Sequence, residues 1–315
     1  MHDNAMSILA DIGGTFVRFA IVEANGPGHI EKYKVEEFEA LGEALSHYCA
    51  QHDREAAGSL RIATAGYEDA GVWKFVNHNK WVIDPAKLKQ NGWNVEIILN
   101  DFEASVWALL DLQNDDTKIL KEAGGASNAK CLLGPGTGLG LGYLQGGDDV
   151  FVQKTHGGHM PVAALTDEQC MVVQTVQRLK SDDTIPVFEN VVSGPGLYNI
   201  YAALCLISGK IRKADTPEAM LNEAEDPQVQ DALRLFHEFF GLFAATSVVA
   251  GHAYGGLYLT GGVLEHLIEA DLFDFAYFEE WFCLQGAASV ARDLQATPIY
   301  HVTYPYPALK GLLNA

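Results

Sequence analysis

Positive charge is scarce in this chain. Across 315 residues, 41 Asp and Glu stand against 21 Lys and Arg, a formal net charge of −20. Such a surface repels nucleic acid and anionic membranes, so neither is expected as a partner. Any bound phosphate must then be held by local backbone dipoles and a metal ion, against the overall field. Cysteine is sparse too: Cys49, Cys131, Cys170, Cys205 and Cys283 are scattered without CxxC or CxxH spacing. An odd, unclustered set reads as reduced, buried thiols and supports neither a disulfide framework nor a zinc site. The first residues lack a basic region followed by an apolar run, and no apolar stretch of about 18 residues is read elsewhere. A soluble, cytoplasmic protein is expected. Familiar nucleotide signatures are also missing. No GxxxxGK[ST] occurs, GxGxxG fails in the Gly134–Gly142 run at Leu141, and HRD and DFG are absent. P-loop hydrolysis and hydride transfer recede accordingly.

What is present is glycine at chosen places. Ala10–Ile21 (ADIGGTFVRFAI) and Leu133–Tyr143 (LGPGTGLGLGY) each set a Gly-Thr pair, Gly14-Thr15 and Gly136-Thr137, at a tight turn between strand-like segments. Turns of this kind expose backbone N–H groups and a hydroxyl with little bulk in front of them, which suits phosphate oxygens. Two such loops suggest two related half-structures around one polyphosphate. A hydrophobic content of 48% is ample for globular cores, and the length allows two domains at ~150 residues each.

The patterning predicts a hairpin over 7–23, a strand over Tyr33–Phe38, and a helix over Leu41–Gln51 with Leu41, Ala44, Leu45 and Tyr48 on one face. Short strands follow at Leu60–Ala65 and Val72–Val76, then a helix opened by Pro85 with Asp84 as N-cap. An apolar strand, Val95–Leu99, runs into Asn100-Asp101 and a helix over Phe102–Leu112. The small residues of Glu122–Lys130 mark an expected boundary region. Beyond Asp167 the chain reads as largely helical, with a long helix from Pro227 to about His252. A strand at Gly256–Thr260 ends in Gly261-Gly262. A late strand at Pro298–Val302 and a short helix at Pro307–Leu313 close the chain. Strands ending in glycine turns and alternating with helices indicate an α/β protein with two open sheets.

DIGGT at 11–15, NHNKW at 77–81, LNDFEA at 99–104, GPGTGLG at 134–140, GGH at 157–159, ENVVSGPGL at 189–197 and TGGV at 260–263 occur in this order. Together they closely resemble the bacterial glucokinase family over nearly the whole chain, in its branch without a zinc-binding cysteine cluster. The resemblance implies a two-domain hexokinase/actin-like (RNase H-like) α/β fold with an interdomain cleft. On that basis 1–111 plus 299–315 is expected as a small domain and 112–298 as a larger, helix-rich one. It further implies ATP-dependent phosphorylation of a hexose at its 6-hydroxyl, most simply glucose to glucose 6-phosphate, with Mg²⁺.

By the same resemblance Asp101 is the general base; its position between strand and helix fits an N-cap equally well. Asn100, His156, His159 and Glu189 match sugar contacts. Asp11 matches the acid that positions Mg²⁺ through water, though an Asp before Gly13-Gly14 also suits an Asx turn. Gly13, Gly14, Thr15, Gly136, Thr137, Gly138, Gly261 and Gly262 match the ATP-binding loops. Two positions depart from the family's pattern: His156 replaces a glutamate in the sugar turn, and Tyr67 stands where a proline is usual. Because an imidazole can donate as well as accept, an N-acetylglucosamine or other amino-sugar kinase is the alternative. A non-catalytic sugar sensor is a remoter one, opposed by the charge and by the intact Asp101. Sugar and ATP are thus the expected small-molecule partners. A homodimer is possible on the resemblance, with no interface legible in the sequence.

Overall fold

The computed structural model describes residues 6–75, 80–147, 149–180, 184–284 and 286–315. Asn77–Asn79 of the NHNKW motif, and Val76 at the end of an expected strand, lie outside these. The chain divides into two compact units, one up to Gln113 and from Tyr304 onward, the other Asn114–Thr303.

In the first unit, β1 (Ser7–Ile12), β2 (Phe16–Glu23), β3 (Gly26–Lys34), β4 (Gly58–Thr64) and β7 (Trp93–Asn100) form one sheet in the order β3-β2-β1-β4-β7. β1, β4 and β7 run parallel, so their carboxyl ends share one edge. α1 (Leu41–Gln51) buries the stripe Leu41, Ala44, Leu45, Tyr48 and Cys49 against this sheet's core, the spacing of an amphipathic helix. A small hairpin, β5 (Tyr67–Asp69) with β6 (Val72–Lys74), follows β4. α2 (Pro85–Gln90) starts with Pro85, and Asp84 Oδ1 accepts from the Ala86 and Lys87 amides at 3.0 and 3.2 Å. α3 (Asp101–Trp107) leaves β7 directly.

The third strand ends at Lys34, earlier than its sequence suggests. Val35 is buried and its amide still donates to Thr15 O at 2.9 Å in the β2–β3 register, and Phe38 N then donates to Val35 O at 3.3 Å, which closes Val35–Glu37 as a 3₁₀ turn. α3 likewise gives way to 3₁₀ geometry at Ala108–Leu110.

The second unit holds a six-stranded sheet built from β8 (Thr117–Lys121), β9 (Lys130–Pro135), β10 (Leu139–Gln145), β11 (Phe151–Lys154), β12 (Gly256–Leu259) and β13 (Ile299–Val302), in the order β11-β10-β9-β12-β13-β8. Its helices are α4 (Asp167–Lys180), α5 (Gly194–Ile207), α6 (Pro217–Leu221), α7 (Pro227–Ala250), α8 (Gly262–Glu269), α9 (Phe275–Phe282) and α10 (Ala288–Gln295). The short α11 (Pro307–Gly311) belongs to the first unit and packs on α3, with Leu309 and Leu312 fully buried. Two sequence boundaries therefore differ. The small-residue stretch 122–130 lies inside the second unit, because β8 pairs with β13. Ile299–Val302 also stays in that unit, held between β12 and β8.

α7 is the core helix. It passes a length-and-hydropathy test for a membrane span, contrary to the sequence expectation, and 83% of that apolar window is buried inside the protein. Phe236, Phe239, Phe240 and Phe243 are fully buried. The helix also carries polar groups into the core. Glu238 accepts from Gln169 Nε2 at 2.6 Å, from Tyr277 Oη at 2.7 Å and from Arg234 Nη1 at 2.7 Å, tying α4 and α9 to α7. Such a fully partnered network avoids the penalty of a buried unpaired charge. Cys49, Cys131 and Cys205 are buried free thiols as expected, whereas Cys170 is exposed on α4 and Cys283 is half-buried.

His237, next to Glu238, is buried. Its Nδ1 lies 2.6 Å from Leu233 O, and its Nε2 accepts the Asp274 amide at 3.0 Å, so the neutral Nδ1–H tautomer fits both bonds. Burial holds its pKa below the ordinary histidine value, with the Leu233 carbonyl and Asp274 opposing. The unfolded chain therefore takes up this proton first on acidification. The contribution is complete above about pH 6.5 and is lost as pH falls through the lowered folded-state value. We expect melting temperatures measured between about pH 5 and 8 to fall on the acid side. His237→Gln should flatten that slope; an unchanged slope in the variant would assign the acid sensitivity to other groups.

Candidate active site

In the first unit the register Ile12↔Thr64↔Asn100 brings Asp11, the Gly13–Thr15 turn and Asn100-Asp101 to the carboxyl edge of β1, β4 and β7. Open α/β sheets bind their ligands at such an edge. Within the turn, Gly13 N donates to Phe16 O at 2.9 Å. Among the described residues the Gly14 and Thr15 amides have no protein acceptor.

Across the hairpin Asp11 faces Arg18, and Arg18 Nη1 reaches Asp11 Oδ2 at 3.0 Å, with the two side chains 29% and 17% exposed. Burial pushes the Asp11 carboxyl up to about 6; Arg18 pulls it down and the nearby Asp101 charge raises it. Arg18 was not singled out in the sequence. Its signal lies in the hairpin itself, which sets the residue four after Gly14 opposite Asp11.

Asn100, rather than Asp101, caps α3. Its Oδ1 accepts from the Phe102 and Glu103 amides at 3.0 and 3.3 Å, and the same side chain lies beside the Asp101 carboxyl. Asp101 is the first helical residue. Its Oδ1 accepts the Phe102 amide at 2.8 Å, which fixes the plane of the carboxylate. Burial raises its pKa above the usual carboxylate range, partly offset by backbone amides and the Asn100 side chain.

The second unit assembles another group of residues. Gly136 N donates to Gly138 O at 2.8 Å, shaping the β9–β10 turn, and Gly194 N donates to Gly136 O at 2.8 Å, pinning the start of α5 to it. Ser193, a cap the sequence reading overlooked despite its Ser-Gly-Pro-Gly signature, accepts the Gly196 amide at 2.9 Å and donates to Glu189 O at 2.7 Å. Glu189 Oε2 in turn accepts the Leu139 amide at 2.9 Å, so the carboxylate sits on the same turn. At the start of α8, Gly261 has φ +106°, and an added Cβ would stand 2.5 Å from Pro135 O. Only glycine fits there. The N-termini of α5 and α8 thus lie against the β9–β10 turn; the first α5 amides are taken, Gly194 N by Gly136 O and Gly196 N by Ser193 Oγ with Pro195 between them, so α5 brings only its dipole to favour a phosphate.

Gly157–His159 form a 3₁₀ turn against β10. A Cβ on Gly158 would meet Leu139 O at 2.4 Å, so the glycine lets the turn lie directly on the strand. The exposed His156 and His159 rings sit 6.3 Å apart. Phe188 N donates to Met160 O at 3.0 Å, which brings the Glu189 segment alongside. Every expected ATP and sugar residue is described within one unit or the other. Among the described residues no cluster of three metal-ligating side chains occurs, and Tyr67 is an exposed residue of β5.

The chain as a whole has counterparts among known proteins. A family model described as Glucokinase matches residues 8–315. A curated glucokinase of Saccharophagus degradans is 31% identical over 315 residues, covering 96% of each chain. Among solved structures, a glucokinase from an Antarctic psychrotroph superposes with a TM-score of 0.84 at 25% identity, covering 98% of each chain. A Balamuthia mandrillaris glucokinase solved with glucose has a TM-score of 0.75 at 17% identity over 99% of this chain and 93% of that one, a likeness of fold. These relatives share the actin-like hexokinase fold. With the match running through both units, the chain belongs to the glucokinase family and is a sugar kinase.

Proposed function

We propose that the protein transfers the γ-phosphoryl group of ATP to the 6-hydroxyl of a hexose, glucose being the reference substrate. The observation that carries this reading is Asp101: an oriented, half-buried carboxylate with a raised pKa at the carboxyl edge of a parallel sheet. Asp101 accepts the 6-hydroxyl proton as that oxygen bonds to the γ-phosphorus and the bond to the β-phosphate oxygen breaks, releasing ADP. Asn100, His156, His159 and Glu189 bind and orient the sugar hydroxyls. The free amides at Gly14, Thr15 and the second unit's turn, with the α5 and α8 N-termini, stabilise charge on the phosphates.

Mg²⁺ fits Asp11. Its carboxyl stays raised by burial and by Asp101 despite Arg18, so further positive charge is favoured there, and Mg²⁺ takes one or two protein carboxylates, with water and phosphates completing its shell. When bound, it neutralises charge on the phosphates. Arg18 holds the Asp11 carboxylate ionised and in place for it.

Three outcomes are expected. Asp101→Asn should lower kcat on the order of 10²–10⁴-fold with a small change in KM for the sugar; full activity in the variant would remove Asp101 as the base. Deprotonated Asp101 and Asp11 are the working forms and both pKa values are raised. The acid limb of kcat/KM should therefore lie above that of a free carboxylate, as a macroscopic property of the pair. Arg18→Met should move that limb upward and raise the Mg²⁺ concentration for half-maximal rate; an unchanged Mg²⁺ requirement would separate Asp11 from the metal.

A further inference from the structure

His156 lines a cavity of about 360 Å³ that lies wholly within the second unit and opens to solvent. Its apolar walls are Leu141 and Tyr143 of β10 and Met160 just past the 3₁₀ turn; Ala250 at the end of α7 closes one side. Gln153 of β11 and Thr155 add polar atoms. No Asp, Glu, Lys or Arg lines it. A charged substituent would enter without a counter-charge, which disfavours a carboxylate, an ammonium or a phosphate. A neutral group that is part polar and part apolar meets no such penalty.

The polar atoms narrow the choice further. Thr155 is committed, donating to Leu141 O at 2.8 Å and accepting from Gly157 N at 3.0 Å. Tyr143 Oη donates to Ser247 O at 2.9 Å. His156 and Gln153 remain, with no side-chain hydrogen bond to protein among the described residues. Imidazole and primary amide can each donate to a carbonyl and accept from an N–H. An amide substituent ending in a methyl matches this set: carbonyl and N–H toward His156 and Gln153, methyl against Leu141 and Met160.

We infer that this cavity is a subsite for an acylamino group on the sugar ring, so that N-acylated amino hexoses are substrates alongside glucose. The inference rests on the hexose-kinase reading above, with His156 beside the bound sugar. A hydroxyl in place of the acylamino group leaves the cavity to water, so glucose is not excluded. A free amino sugar carries an ammonium into the same uncharged space and is disfavoured.

The test is coupled ADP release with Mg-ATP on glucose, glucosamine, N-acetylglucosamine and N-acetylmannosamine. The proteins are the wild type, Ala250→Trp, which fills the cavity, and Gln153→Leu, which removes a polar partner from an exposed strand position. The expected result is turnover of glucose and at least one N-acetyl hexose by the wild type. Both variants should lose about tenfold or more in kcat/KM for the N-acetyl sugar while glucose stays within about twofold, the scale of one pocket contact. Turnover of glucose with no N-acetyl hexose accepted would overturn the inference and leave the kinase reading intact. Equal losses on both sugars in folded Gln153→Leu protein, checked by its melting curve, would also overturn it. Absence of turnover on any sugar would sink the kinase reading, and the subsite with it.

Discussion

Two like charges are held at one sheet edge. Asp11 lies near the end of β1 and Asp101 follows β7, each partly removed from water, and the charge on Asp101 makes the ionisation of Asp11 harder. A fold spends stability to keep such a pair, because burial and mutual repulsion both oppose the charged forms. The surroundings are organised around that cost. Arg18 is delivered by the hairpin register, Asn100 is oriented by capping α3, and the Gly14 and Thr15 amides have no protein acceptor among the described residues. On the reading proposed above, a cation and a phosphate chain placed here would offset the burial and repulsion that raise Asp11.

The turn proposed to hold phosphate in the second unit is built by other means. Those means lie in the backbone. Gly194 bonded to Gly136, Gly261 pressed onto Pro135 O, and Glu189 tied to Leu139 all fix main-chain amides in place. In a chain of net charge −20, fixed dipoles attract phosphate locally without changing the repulsive far field. Rigidity behind the loops comes from α7, whose phenylalanines fill the core while Glu238 locks α4 and α9 to it.

Much of this was legible in the sequence because glycine and capping residues have few physical uses. Asp84 before Pro85, the paired Gly-Thr turns and the Asn100-Asp101 strand end each announced local geometry directly. Other features were not local. β8 is a short, largely exposed strand whose TKILK pattern gains meaning only from pairing with β13, some 180 residues later. Without that pairing, the small-residue stretch after it looked like a boundary. Tyr33–Phe38 carried strand propensity throughout, yet the strand runs Gly26–Lys34 and the 3₁₀ bond from Phe38 N to Val35 O turns the chain after it. The capping role passed from Asp101 to Asn100 because which of two adjacent polar residues turns inward depends on backbone angles that composition does not specify. Arg18 was hidden only by attention to glycines, since the hairpin register pairs it with Asp11.

The second unit is one continuous run of chain, and the first is not. The helix Pro307–Gly311 supplies Leu309 to the core of a unit whose other elements come from residues before Gln113. During synthesis from the N-terminus, the Asn114–Thr303 unit can complete its core as soon as it has emerged. The earlier-made sheet must wait, with the surface around Leu9, Ala63 and Leu99 uncovered, until the end of the chain arrives. Asp101, the proposed base, is thus made in the first third of the chain and set on a finished core last, which gives this protein an order of assembly opposite to its order of synthesis.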